Sequence, residues 1–310
     1  MTNYLIKKKR SLVKVFLLYL LSYKFINNLF ILILNFLPNN QYKDRVPVIT
    51  GPVVFKFKNI DLIKMYGADN CYIAKQLYWN KGMLRDQQDN LSIKLAIDLS
   101  SQAEHFFDIG AYTGFFSLCV AAKNRNIKVV AFEIVPSNLI QFLNNIFIND
   151  LVTSIEPRLL GLSDKEGHIN IPITFGRGVL ETSVALDSDS IEGIKIPITK
   201  LDNFLNSSSG KGVWKIDVET FELSVLNGAK EIIKKTSPDI ICEVLSYSTE
   251  KNQLTNFLKE RNYFIYRITK NGLLKVSSVN NITVDDEKDY LFTIRSESEL
   301  INLFKLNIIT

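Results

Sequence analysis

The stretch from Phe106 to Glu133, FFDIGAYTGFF and then VVAFE, constrains the fold of this chain more than any other. An apolar run, His105-Phe106-Phe107, ends in Asp108, turns through Gly110 and Gly114, and enters a segment of helical character. A second apolar run, Val129-Val130-Ala131-Phe132, ends in Glu133. The order is strand, glycine turn, helix, strand, with a carboxylate at the carboxyl end of each strand. Ligands of doubly wound sheets bind in the crevice at those strand ends. A carboxylate has two acceptor oxygens and can take both hydroxyls of a vicinal diol, which places Glu133 to hold a ribose. Gly110 and Gly114 let the backbone pass close to a bulky ligand where a Cβ would collide.

What is missing narrows the ligand. A dinucleotide fingerprint needs G-x-G-x-x-G, so that a pyrophosphate can sit on a helix N-terminus. Only Gly110 and Gly114 are present, and Asp108 stands where a pyrophosphate would be repelled. A nicotinamide oxidoreductase is therefore a weak reading. An acid tolerates a cationic ligand and can accept from an ammonium. S-adenosyl-L-methionine meets these terms: a ribose, an amino-acid tail, a positive sulfonium and no phosphate.

The 310 residues suffice for one large domain with an extension, and 46% hydrophobic with 22% charged residues is ordinary globular usage. Charge is unevenly spread. Of the total of +5, residues 1–45 carry +7 (Lys7, Lys8, Lys9, Arg10, Lys14, Lys24, Lys43 and Arg45 against Asp44), which leaves −2 for the remainder. A slightly acidic domain lacks the basic footprint of nucleic-acid binders, so no nucleic-acid partner is expected. Cys71, Cys119 and Cys242 are scattered without a C-x-x-C pair, which supports neither a disulfide framework nor a zinc site.

After the basic cluster Lys7–Arg10, residues 15–37 (VFLLYLLSYKFINNLFILILNFL) are long enough to span a bilayer. Lys24, Asn27 and Asn28 interrupt them. At about 100° per residue, Arg10, Lys14, Lys24, Asn28 and Asn35 share one narrow stripe. That favours a helix lying in a membrane interface, or packed on the protein, over a lone spanning helix. A spanning helix with its basic cluster inside would also put the domain outside, away from cytosolic S-adenosylmethionine. The expected location is the cytoplasm, peripheral to or anchored at the cytoplasmic face of a membrane through residues 7–37. Pro38-Asn39-Asn40, Pro47 and Gly51-Pro52 mark a linker, so the division is residues 1–45 and a domain from 46 to 310.

Elements alternate downstream. Val53–Lys58, Ile155–Leu162, Val213–Val218, Asp239–Val244, Tyr263–Thr269 and Tyr290–Ile294 read as strands; Leu91–Leu99, Pro136–Asn149, Phe221–Lys235 and Gln253–Arg261 read as helices. His168–Phe175 and Ile194–Thr199 read as a hairpin-like insertion. Such alternation argues for a mostly parallel sheet, and the closing strands, joined through Asn271-Gly272 without an obvious helix, for an antiparallel last strand.

Three blocks carry a resemblance: FFDIGAYTGFFSL with Glu133; LGLSDKEG with TKLDNFL; and WKIDVETFELSVLNGAKEI followed by PDIICEV. Over roughly residues 70–245 the chain resembles the FkbM-type family of S-adenosylmethionine-dependent methyltransferases. The resemblance implies an α/β, Rossmann-like methyltransferase with a mostly parallel seven-stranded sheet, an antiparallel last strand and helices on both faces. It implies methylation of hydroxyls of saccharides or other small, glycan-type acceptors. It also implies that Asp164, after the third strand beside Ser163, meets the adenine amino group; as a turn residue Asp164 has an equally plain reading. Two positions depart from the family. Tyr112 stands where Asn is usual, and Thr220 where Gly is usual. A β-branched residue resists positive φ, so the turn after Glu219 is not expected to depend on that angle.

Asp217 and Glu219 are the candidate reaction centre, since two residues apart on a strand point to one face. Methyl transfer is an in-line displacement by an oxygen held at near-attack distance, and a nearby carboxylate helps remove a weakly acidic hydroxyl proton. Asp217 can be that base or can orient the acceptor, with Glu219 holding substrate or cofactor. The pair can instead hold a hard divalent cation, or be structural; no metal is expected as a requirement. His168 is a second candidate base, with a half-buried polar residue as its plain alternative. Asp108 can cap the following turn instead of meeting a cofactor. Glu243 either lines the same crevice or pairs with Lys215, and Trp214 and Phe221 read as core. The competing function class is a non-catalytic nucleoside-binding module of the same fold.

Overall fold

The computed structural model describes residues 20, 23–35, 46, 48, 51–56, 62–171, 193–207, 210–280, 288–304 and 308–309. Helix α1 (Lys24–Asn35) precedes a hairpin, β1 (Val53–Phe55) with β2 (Ile63–Met65), and helices α2 (Tyr72–Trp79) and α3 (Gln87–Ser100). The βα units then run β3 (His105–Ile109), α4 (Phe115–Lys123), β4 (Lys128–Glu133), α5 (Pro136–Ile148) and β5 (Ile155–Leu159). A small sheet is built from β6 (Gly161–Leu162), β7 (Gly167–Ile171) and β8 (Ile194–Thr199). The chain returns through β9 (Gly212–Ile216), α6 (Glu222–Asn227), α7 (Lys230–Thr236), β10 (Asp239–Glu243), α8 (Lys251–Lys259), β11 (Phe264–Thr269), β12 (Gly272–Val276), β13 (Asp289–Thr293), α9 (Glu297–Phe304) and β14 (Ile308–Ile309).

The main sheet has the order β14-β12-β11-β13-β10-β9-β3-β4-β5. Strands β5, β4, β3, β9 and β10 are parallel, and β13 enters antiparallel between β10 and β11. That is the expected class, but the sheet has nine strands where seven were expected. The additions are β12, paired with β11 across the Asn271-Gly272 turn, and β14 at the edge. Their short segments carry too little periodicity to be read from sequence.

Both faces are covered because the strands are apolar on both sides, as buried parallel strands must be. Phe106, Val129, Val213 and Ile241 pack with Leu118 of α4, Phe142 of α5 and Leu300 of α9. Their neighbours Phe107, Val130, Trp214 and Ile240 face the other way, onto Leu226 of α6, Ile232 of α7 and Leu258 of α8. Trp214 is core as expected. The helix predicted over Phe221–Lys235 is split in two at Gly228. A Cβ there would lie 1.9 Å from the Ser163 carbonyl oxygen, and the Asp202 carboxylate caps the second half by accepting from the Glu231 and Ile232 N–H groups.

Strand β3 lies between β4, its successor, and β9, which arrives from the far end of the chain. Chain direction across the sheet reverses there, so the carboxyl ends of β3, β4, β9 and β10 border one crevice. On α1, Asn27 and Ile31 turn inward while Phe25, Leu29, Leu32 and Ile33 are exposed, Phe25 at 81%. Among the described residues no helix is long and apolar enough to cross a membrane. Lys7–Arg10, the remainder of 15–37, most of the linker and residues 172–175 of the predicted hairpin lie outside the described residues.

Candidate functional site

The crevice has a volume of about 930 Å³ and runs from α2 across the strand ends to the small sheet. Its first arm is built by the turn after β3. Gly110, Tyr112 and Gly114 take φ of +81°, +52° and +83°, which folds five residues tightly into the start of α4. The turn carries the Tyr112 N–H onto Glu133 Oε2 (2.7 Å), while Glu133 Oε1 accepts from the Val135 N–H (2.7 Å). Asp108 Oδ2 accepts from both the backbone N–H (3.0 Å) and the hydroxyl (2.5 Å) of Ser117, in the first turn of α4. Asp108 thus caps that helix while lining the crevice. Burial pushes the Asp108 carboxyl up to about 6 and the Glu133 carboxyl up to about 7.

The glycines have a different reason from the one expected. A Cβ on Gly110 would lie 1.8 Å from the Asp217 carbonyl oxygen, and one on Gly114 would lie 1.9 Å from the Phe142 ring. Protein, not an open ligand path, fills the space that those side chains would need.

The second arm is acidic. Strand β9 ends at Ile216, so Asp217 and Glu219 do not share a strand face, and the period-two argument for them fails. A turn brings them together instead: Glu219 has φ +51° and Thr220 φ +82°. Positive φ at Thr220 overturns the expectation that a β-branched residue would avoid it, and such backbone costs about 1–3 kcal/mol. The Asp217 N–H donates to the Ile109 carbonyl (2.9 Å), which ties this turn to the end of β3. Glu243, from the end of β10, completes a group of three acids whose carboxylate oxygens lie within 4.8 Å of one another. They could ligate a hard divalent cation.

Two lysines balance the acids. Buried Lys215 has its Nζ 3.4 Å from Asp217 Oδ2 and 3.9 Å from Asp289 Oδ1, and Lys288 pairs with Glu243. Glu243 therefore lines the crevice, and its partner is Lys288 rather than Lys215. Burial alone would raise the Asp217 carboxyl, but Lys215 holds it below the ordinary value. Burial and then the Asp217 charge push Glu243 upward, so the proton of this pair rests on Glu243. Glu219 is raised by burial and by Asp217, and its Oε2 accepts from the exposed Tyr247 hydroxyl (3.3 Å).

The remaining candidates divide. Ser163 lines the crevice, its N–H donating to the Thr199 carbonyl (2.9 Å). Asp164 is exposed, accepts from the Ser163 hydroxyl (3.2 Å) and is not among the lining residues. His168 is exposed on β7, opposite Pro197 of β8, and is not brought to the acids. Phe221, read as core, is 41% exposed and lines the crevice. Sequence reasoning missed the wall supplied by Tyr72, Lys75 and Gln76 of α2, and the roles of Asp89, Asp289 and Lys288. An acid closing a buried strand was the only available signal for Glu243.

The methyltransferase FkbM domain matches residues 108–265, which carry Asp108, Glu133, Asp217, Glu219 and Glu243 of the two arms. No curated protein matches the chain in sequence. Similar solved structures include the methyltransferase FkbM from Methylobacillus flagellatus KT (20% identity, 62% of this chain and 44% of that one, TM-score 0.41). The chain thus spans less than half the length of that protein. Others are precorrin-6y C5,15-methyltransferase from Geobacter metallireducens GS-15 (10%, 66% and 84%, 0.37) and the SAH-bound methyltransferase PaMTH1 of Podospora anserina (12%, 53% and 54%, 0.32). With slightly more than half of its length matched by that domain, the chain belongs to the FkbM methyltransferase family.

Proposed function

We propose that the chain is an S-adenosylmethionine-dependent O-methyltransferase that transfers a methyl group to a hydroxyl of a saccharide or glycan-type acceptor. The observation that carries this reading is the crevice with two unlike acidic arms at one switch point. The donor set fits the cofactor: two buried carboxylates raised by burial favour a ligand rich in hydroxyl and ammonium donors. Glu133 would hold the ribose hydroxyls, Asp108 the amino-acid tail, and Ser163, beside Asp164, the adenine end. When bound, the cofactor supplies an electrophilic methyl group.

This chain's own acids do the rest. Asp217, kept ionised by Lys215, orients the acceptor hydroxyl. Glu219, half-exposed and raised, takes its proton on the carboxylate. The exposed apolar face of α1 rests on a membrane surface, which keeps residues 46–310 on its cytoplasmic side, near a lipid-linked acceptor.

Calorimetric titration of the protein with S-adenosylhomocysteine, followed by transfer of labelled methyl to saccharide acceptors, tests the reading. Micromolar binding with transfer to a hydroxyl is expected. A folded protein that binds no S-adenosylhomocysteine sinks it, and binding without transfer to any acceptor favours the non-catalytic module. Vesicle co-sedimentation that survives Phe25→Glu with Leu29→Glu would overturn the membrane contact.

A further inference from the structure

Helix α5 (PSNLIQFLNNIFI) contains no charged residue in 13 positions. Its inner side is explained by Phe142 and Ile146 in the core. Its outer side is not. Ile140 is 62% and Phe147 65% exposed, and Leu143, also exposed, sits between them at helical spacing. An outward helix face in water is ordinarily polar or charged. Val152, 54% exposed, extends the stripe past the helix end. Beside it lies a groove of about 300 Å³ between Leu143, Phe147, Val152 and Pro157, the last in β5. Strand β5 is the edge of the main sheet, and Pro157 in its middle has no N–H to offer another strand. Docking here is by side chains, not by strand addition.

We propose that this face is the interface of a homodimer, in which α5 packs against α5 of a second copy across a two-fold axis. An isologous contact sets a patch against itself, so a charge near the two-fold axis would meet its own copy. A charge-free helix is the surface that such a contact permits, whereas a lipid surface would call for cations around the apolar stripe. The charges at the groove, Lys128 and Glu156, are of opposite sign, and Glu156 is already neutralised by Arg158 of its own chain. Phe147 stands proud beside a groove of its own size class, so each copy supplies a knob and a hole.

A stable homodimer buries about 800 Å² per copy, and α5, about 20 Å long, gives only its apolar centre. The β1–β2 hairpin widens the surface with exposed Val54 and Leu62. It is fixed to α5 through Asn149, which accepts from the Lys64 N–H (2.8 Å) and donates to the Lys64 carbonyl (2.7 Å), and through Asn145, which accepts from the Tyr66 N–H (2.8 Å). Asn138 in the first turn of α5 lines the crevice, so the dimer would also brace the ribose arm. The proposal does not rest on the catalytic reading.

Sedimentation velocity of the full chain at micromolar concentration tests it. A particle of twice the chain mass is expected. Phe147→Asp should reduce it to one chain, weakening association about tenfold or more, with the circular dichroism unchanged. Leu143→Cys gives a second readout that needs no disruptive charge. The native Cys71, Cys119 and Cys242 are buried and unpaired, so mild oxidation should yield a covalent dimer through the new thiol alone. Three outcomes would overturn the interface: a wild type of single-chain mass, a Phe147→Asp protein that stays dimeric, or association abolished by Phe25→Asp with Leu29→Asp on α1 but not by Phe147→Asp.

Discussion

The two arms of the crevice use the same side-chain chemistry under opposite conditions. Asp108 and Glu133 stand apart, each held by neutral donors: Ser117 for the first, backbone N–H groups of Tyr112 and Val135 for the second. Asp217, Glu219 and Glu243 are crowded together and held by lysines and a tyrosine. Buried carboxyls held by neutral donors rise chiefly by desolvation, whereas crowded ones divide, one kept ionised and its neighbour protonated. The first arrangement suits fixed recognition of hydroxyl and ammonium donors. The second suits the movement of a proton.

The largest effect expected from breaking the contrast is at Asp217. Asp217→Asn should lower kcat by about 10²-fold through misplacement of the acceptor hydroxyl, while S-adenosylhomocysteine affinity, read by calorimetry, stays within about threefold. Loss of cofactor binding with little change in kcat would show that the arms are misassigned. Glu133→Ala should do the reverse, removing about 2–3 kcal/mol of S-adenosylhomocysteine binding by deleting a charged acceptor. Lys215→Met should destabilise the fold by about 3–5 kcal/mol in urea, because it strands Asp217 and Asp289 without their shared cation. A loss no larger than that of a surface lysine would mean that the acids relax into water.

The smaller effects concern pH. Glu133 near 7 and Asp108 near 6 are raised in the fold, so the folded chain holds protons that the unfolded chain has lost. Their contribution to stability is present below their unfolded values and is lost as pH rises through about 6 to 7. The melting temperature of the ligand-free protein should therefore fall across that window. S-adenosylhomocysteine affinity should rise across it, by at most about tenfold per pH unit per group, since only the ionised carboxylates accept two donors. Parallel trends in the two measurements would refute the assignment. Last, Thr220→Gly should stabilise the fold by about 1 kcal/mol by releasing the strain of φ +82° at a β-branched residue.

Local patterns made the first arm legible. The apolar runs closed by Asp108 and Glu133, with glycines between them, give strand, turn, helix and strand from periodicity and from the φ that glycine permits, and β3, α4 and β4 follow that order. The second arm was legible only as a pair. Asp217 and Glu219 belong to it, but their union comes from a left-handed turn at Glu219 and Thr220 that no β-branched residue advertises. Glu243, Lys288 and Asp289 join from strands whose neighbours are set by sheet order, not by sequence distance.

By itself, then, the sequence determined the βα alternation, the two-sided apolar strands and the carboxylates at their ends, because these depend on backbone preference and burial over a few residues. Tertiary structure alone decided which acid keeps its proton, why Gly110 and Gly114 are small, and that α5 presents an apolar face to solvent. Those outcomes depend on which distant groups approach within a few ångströms, where desolvation and pairwise charge outweigh any local propensity.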